Sequence, residues 1–115
     1  FFEITGAKDM GRDENTPIWV QHIALQLQDL KALEEAKNSL IQKGVDVLGI
    51  TNHGIFKSIY FFDPNGHRLE LCCNVGTEEQ ARKLKEMAPG MLEEWSKTKK
   101  PPKDAAWLHS DEFNN

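Results

Sequence analysis

The chain has 115 residues, 39% of them hydrophobic and 28% charged, a composition that suits one small domain with a modest core. Its 14 basic and 18 acidic side chains give a formal net charge of −4, which argues against nucleic acid or an anionic membrane as the main partner. No apolar run is long enough to span a bilayer, and no signal-peptide pattern is present.

The opening Phe1-Phe2-Glu3-Ile4-Thr5-Gly6 reads as the end of a strand, and the chain does not start with Met, so further residues upstream are expected. Residues 7–17 are polar and lack periodicity, which predicts a linker. Residues 18–28 read as a strand with Ile23, Leu25 and Leu27 on one face and Val20, His22, Ala24, Gln26 and Gln28 on the other. Asp29 is placed to cap a helix whose apolar positions Leu30, Leu33, Ala36, Leu40 and Ile41 recur at helical spacing, and Gly44 to end it.

Residues 45–50 form a short predicted strand, followed by a turn at Thr51-Asn52-His53-Gly54. Residues 55–62, rich in β-branched and aromatic side chains, predict a third strand. Asp63-Pro64-Asn65-Gly66 suits a tight turn, with Pro presetting φ and Gly supplying positive φ, and residues 67–73 complete a hairpin. If Ile23, Leu25, Leu27, Ile59, Phe61, Leu69 and Leu71 face the helix, then His22, Ser58, Tyr60, Arg68 and Glu70 share the opposite face.

From Thr77 the pattern is helical again, opened by the capping box Thr77-Glu78-Glu79-Gln80. Pro89-Gly90 predicts a break, with a second short helix from Met91. Lys97, Lys99, Lys100 and Lys103 around Pro101-Pro102 read as a solvated basic segment, and Ala105-Ala106-Trp107-Leu108 as an apolar tail able to dock. Met87, Met91, Trp95 and Trp107 suit packing, a dimer contact or the cover of an apolar pocket. The only cysteines, Cys72 and Cys73, are adjacent and point to opposite faces of a strand, so a disulfide between them is not expected. Two free thiols fit a reducing, cytoplasmic setting.

His22 and Glu70 are the residues with the most specific chemistry. An imidazole nitrogen and a carboxylate oxygen suit Fe(II), Mn(II), Ni(II) or Zn(II), and two His with one carboxylate suit non-heme Fe(II). On spacing alone the plainer reading is a satisfied strand histidine and an edge carboxylate paired with Arg68 or a lysine. The string Ser58-Ile59-Tyr60-Phe61-Phe62-Asp63-Pro64-Asn65-Gly66-His67-Arg68-Leu69-Glu70-Leu71 shifts that balance.

Together with the His-Ile-Ala-Leu strand upstream, this string resembles a module of the vicinal oxygen chelate superfamily. That superfamily includes glyoxalase I, extradiol dioxygenases, and the fosfomycin and bleomycin resistance proteins. The resemblance covers about residues 18–75, and the Asp-Pro-Asn-Gly-His-Arg-Leu-Glu-Leu piece is its most specific part. It implies an α+β fold: a βαβββ module, its sheet cupped around a site, here followed by C-terminal helices and a tail over residues 76–115. In such modules the first strand gives one metal ligand and the fourth a Glu, positions that fall on His22 and Glu70. Extradiol dioxygenases also carry a Tyr ahead of the Glu ligand and a His before that strand, positions similar to Tyr60 and His53. Tyr60 would then stabilise a bound oxyanion, and His53 would serve in acid–base work. A packing Tyr and a turn His are the plainer readings of the two. His67 reads as a turn residue, His109 as part of the tail, and Cys72 as a buried free thiol on the Glu70 face.

A complete site in this superfamily takes two modules, the second supplying another His and often another Glu. Residues 1–6 would be the last strand of a preceding module, with Glu3 a candidate ligand and equally an exposed strand residue. The remaining ligands would come from that N-terminal module or from a second copy in a homodimer. The resemblance thus implies a metal-dependent enzyme, Fe(II) favoured, acting on a small molecule with vicinal oxygens. Extradiol-dioxygenase-like chemistry leads. A glyoxalase I-like lyase or isomerase and a metal-free antibiotic-binding protein are the alternatives.

Overall fold

The computed structural model describes residues 5–6 and 13–100. Glu3 and the rest of residues 1–4, together with Lys103, Trp107, His109 and the apolar tail, lie outside the described residues. Thr5 and Gly6 form a turn. The elements run β1 (Ile23–Gln26), α1 (Leu30–Gln42), β2 (Leu48–Asn52), β3 (Phe56–Phe62), β4 (Arg68–Asn74) and α2 (Glu78–Thr98). The first five make the expected α+β module of one sheet and one crossing helix.

The sheet order is β1-β4-β3-β2. β1 pairs parallel to β4, while β3 pairs antiparallel to both β4 and β2. This order puts β4 inside the sheet, between the strand that opens the module and the strand that precedes it. Parity then decides the two faces. Ile59, Leu71 and Cys73 turn toward α1, whose Leu30, Leu33, Ala36 and Leu40 complete a core in which Leu33, Ile59 and Cys73 are fully buried.

The helix forms where the sequence predicts, for the reasons it predicts. The Asp29 carboxylate accepts the Ala32 amide at 2.8 Å, satisfying one of the free N–H groups of the first turn. At the other end Gly44, with φ +78°, bonds back to the Ile41 carbonyl, and Val45 to that of Leu40. That pair of bonds defines a Schellman close.

β3 and β4 begin one residue later than the sequence reading, β4 also ends one later, and three elements differ by more. β1 starts at Ile23, because the Val20 amide bonds back to the Pro17 carbonyl at 3.0 Å and holds Ile18 and Trp19 in an exposed turn. His22 therefore stands just ahead of the strand. β2 runs Leu48–Asn52 rather than 45–50, since Val45 still belongs to the helix close and β2 takes its register from β3. The irregularity between Leu48 and Thr51 falls at Gly49, with φ +109°, where an added Cβ would meet the Ser58 carbonyl at 2.7 Å. Only glycine fits there.

The third correction is α2, which is one continuous helix through Pro89-Gly90 instead of two. Pro89 withdraws one N–H from the ladder, but Lys85, Pro89 and Gly90 are all exposed, so water can serve the carbonyl that is freed. The predicted capping box is present, and Lys99, left-handed at φ 54°, closes the end. No side chain of α2 is buried, and Leu92 and Trp95 are exposed. Met87, Met91 and Trp95 line neither of the clefts described below. Among the described residues, no helix is long and apolar enough to cross a membrane.

Candidate metal centre

Glu70 lies at the middle of β4, and its neighbours in register are Ala24 on β1 and Tyr60 on β3. Flanked on both sides, its side chain is only 6% exposed. A buried carboxylate needs partners, and the strands on either side supply them. Ser58 Oγ donates to Glu70 Oε1 at 2.5 Å, and the Tyr60 hydroxyl donates to the same oxygen at 3.3 Å. Oε2 is left to face His22, whose Nε2 lies 2.9 Å away. The carboxylate is thus anchored through one oxygen and presents the other to the imidazole.

The network continues through Tyr60. His53 Nε2 lies 2.8 Å from the Tyr60 hydroxyl, and the His53 ring stacks on Phe56 at 4.7 Å. Tyr60 has a single proton to give. Donated to Glu70, it leaves the phenol oxygen to accept from a His53 Nε2–H; donated to His53, it requires the tautomer with the proton on Nδ1. The His22 ring meets Tyr60 edge-on at 5.9 Å, and the Arg68 guanidinium lies over the Tyr60 ring at 4.4 Å.

All four candidates named from sequence, His22, Glu70, Tyr60 and His53, are therefore joined in one hydrogen-bonded chain. Glu70 pairs with His22, not with Arg68 or a lysine. Sequence reasoning placed Ser58 on this face without giving it a part. Strand alternation contained the signal: Ser58 shares the Tyr60 face of β3, and its cross-strand partner Cys72 sits two residues from Glu70. His67 is a turn residue, its amide bonded to Asp63 Oδ1 at 2.8 Å.

The donor set fits a divalent ion. Two ligands each about 2.1 Å from a common metal, at right angles, sit about 3 Å apart, which is the spacing of His22 Nε2 and Glu70 Oε2. Ser58 and Tyr60 hold the Glu70 carboxylate by one oxygen, the arrangement that outer partners give a metal-binding carboxylate. Among the described residues no group of three or more His, Cys, Asp and Glu converges on one point. Among the described residues the arrangement thus brings two candidate donors together, His22 Nε2 and Glu70 Oε2.

Burial and neighbouring charge shape two further groups. Desolvation, then the Glu70 carboxylate, push the Tyr60 phenol above its ordinary value of 10.0. Desolvation first, then Glu70, then Cys73, push the Cys72 thiol above 9.0. The folded state holds both protons more tightly than the unfolded chain does. The stability they confer is complete below the ordinary values and is lost as pH rises through the raised ones. Cys72 should accordingly alkylate more slowly with iodoacetamide than an unstructured cysteine below about pH 9. Peptide mass spectrometry against the urea-unfolded chain measures this, and equal rates in the two states would contradict it.

Two clefts border these residues, one lined by His22 and the other by Tyr60, and both by Arg68. The larger, about 770 Å³, runs from Asp13 and Thr16 past His22 to His67 and Arg68, and the smaller, about 400 Å³, lies between Tyr60, Arg68 and Leu48.

A family model described as the glyoxalase/bleomycin resistance protein/dioxygenase superfamily matches residues 2–71, and the chain belongs to that superfamily. Among solved structures it is similar to an integron cassette protein from the mobile metagenome of the Halifax Harbour sewage outfall, at 36% identity and a TM-score of 0.42. That match covers 48% of this chain and 49% of the other. It is also similar to the genomically encoded fosfomycin resistance protein FosX of Listeria monocytogenes in two crystal forms. The hexagonal form gives 32% identity and a TM-score of 0.43 over 52% of this chain and 49% of the other. The monoclinic form gives 30% and 0.45 over 68% and 56%. The chain thus spans about half the length of these solved proteins. Comparison with curated proteins gave no match.

Proposed function

We propose that this chain contributes half of the metal centre of an enzyme acting on a small molecule with two adjacent oxygens, with extradiol-dioxygenase-like chemistry. The observation that carries this reading is the Glu70 carboxylate, held by Ser58 and Tyr60 on one oxygen and facing His22 on the other. A bound divalent ion, Fe(II) before Mn(II), Zn(II) or Ni(II), would supply Lewis-acid polarisation of the two substrate oxygens. His22 Nε2 and Glu70 Oε2 would hold it, and the remaining ligands would come from a second copy or a further module. A cytoplasmic setting belongs to the same reading, since Cys72 and Cys73 are both free thiols.

The other residues handle the proton. Tyr60, its phenol kept protonated across the neutral range, can donate to a substrate oxyanion at the edge of the cleft. His53, bonded to that phenol, can take or return the proton. This Tyr–His pair favours the dioxygenase reading over a glyoxalase-like one, which needs a carboxylate base and no phenol.

The test is anaerobic loading with Fe(II), metal analysis of wild type and His22→Ala, and oxygen uptake with a panel of catechols. Wild type should retain iron that His22→Ala loses, and Tyr60→Phe should lower kcat by about 10²-fold or more with the metal in place. Wild type holding no more metal than His22→Ala removes the enzyme reading in favour of a metal-free binding protein. Metal retained with no oxygen consumed, and turnover supported by Zn(II) or Ni(II), replaces the dioxygenase by a lyase or isomerase.

A further inference from the structure

Arg68 stands on the same face of β4 as Glu70, two residues before it, so the two side chains rise about 7 Å apart along the strand. It is half-buried and borders both clefts. Among the described residues it makes no ion pair: Glu70, the carboxylate on its own face, is taken by His22, and the other ion pairs all lie on the two helices. Its one defined contact is with the Tyr60 ring, 4.4 Å below the guanidinium carbon. A cation–π contact of this kind uses none of the guanidinium N–H donors, and Arg68 lines both clefts. Asp13, the carboxylate that shares the larger cleft, accepts from Asn15 and Thr16, so among the described residues Arg68 is a half-buried cation over an aromatic ring with no carboxylate paired to it, a setting suited to an anionic ligand.

We propose that Arg68 binds an anionic substituent of the substrate, a carboxylate or a phosphonate, and so sets specificity. The inference rests on the proposed function, since Arg68 borders both the cleft lined by His22 and the cleft lined by Tyr60. The substrate is then a small molecule carrying its negative group about one ring's length from its two adjacent oxygens. The anion lies over Arg68 and the oxygens beside Glu70 and His22. Arg rather than Lys is the fitting residue, because a planar fork both stacks on Tyr60 and meets two oxygens of a carboxylate.

The experiment uses the whole chain without metal. It is titrated with 3,4-dihydroxybenzoate, with the neutral methyl ester of that acid, and with phenylphosphonate, following the NMR shift of the Arg68 Nε–H together with overall affinity. Wild type should bind the acid and the phosphonate at least about 10-fold more tightly than the ester. Arg68→Met should abolish that preference with little change toward the ester, and Arg68→Lys should keep part of it. Equal binding of acid and ester by wild type overturns the inference. So does equal weakening of both by Arg68→Met, the signature of a packing role, or an unmoved Arg68 signal with all three probes. Because no metal enters, such failures leave metal retention by His22 and Glu70 standing. Loss of metal retention with the acid preference intact would instead remove the metal centre and keep the anion site.

Discussion

Glu70→Ala should reduce divalent-metal affinity at least about 100-fold, since removing a ligand must cost no less than the 10–100-fold typical of removing an outer partner. The same substitution should destabilise the fold by about 1–3 kcal/mol, because the fully buried Ser58 hydroxyl loses its acceptor. Glu70→Gln separates the two effects. Its amide oxygen can still accept from Ser58 and Tyr60, so stability should be largely kept. Its other end presents an NH2 group to His22, so metal binding should still be lost. Metal titration and urea unfolding on the three proteins check both statements. A Glu70→Ala protein with wild-type metal affinity would take Glu70 out of the site altogether.

Leu33→Ala should cost about 2–5 kcal/mol, the range for emptying a buried leucine site whose walls cannot close in. Leu33 has no exposed surface, and only two other apolar residues described here, Ile59 and Cys73, are buried as fully. A core this small has few neighbours able to move into the void, and a loss of that size is a large share of a small domain's total stability. Urea denaturation gives the number directly. A change below about 1 kcal/mol would mean that α1 is not anchored to the sheet through Leu33.

The contrast between α1 and α2 explains which parts of the fold could be read locally. At α1 the Asp29 cap, the apolar stripe and Gly44 all point to the same helix, and the helix forms between them. At α2 the cap is equally legible, but Pro89-Gly90 is a signal whose outcome depends on surroundings. In an exposed stretch the unpaired carbonyl can be hydrated, so the helix continues. The short strands sit between these cases. β1 and β2 lie at the sheet edges, where a turn at Pro17 and a helix close at Val45 set their limits, and neither is expressed in the strand residues themselves.

For the site, period-2 alternation was enough to put Ser58, Tyr60, Arg68 and Glu70 on one face, because strand parity is a local property of the chain. Residue type and position along the chain are enough to mark out His22, His53, Tyr60 and Glu70. They do not give the connections among them. That Glu70 joins His22 rather than Arg68 depends on β1 lying beside β4, a pairing between segments far apart in the chain. That Arg68 makes no ion pair among the described residues follows from the same pairing. Residue type and parity are written into the order of amino acids, whereas the choice of partner is made only when the strands take their places in the sheet.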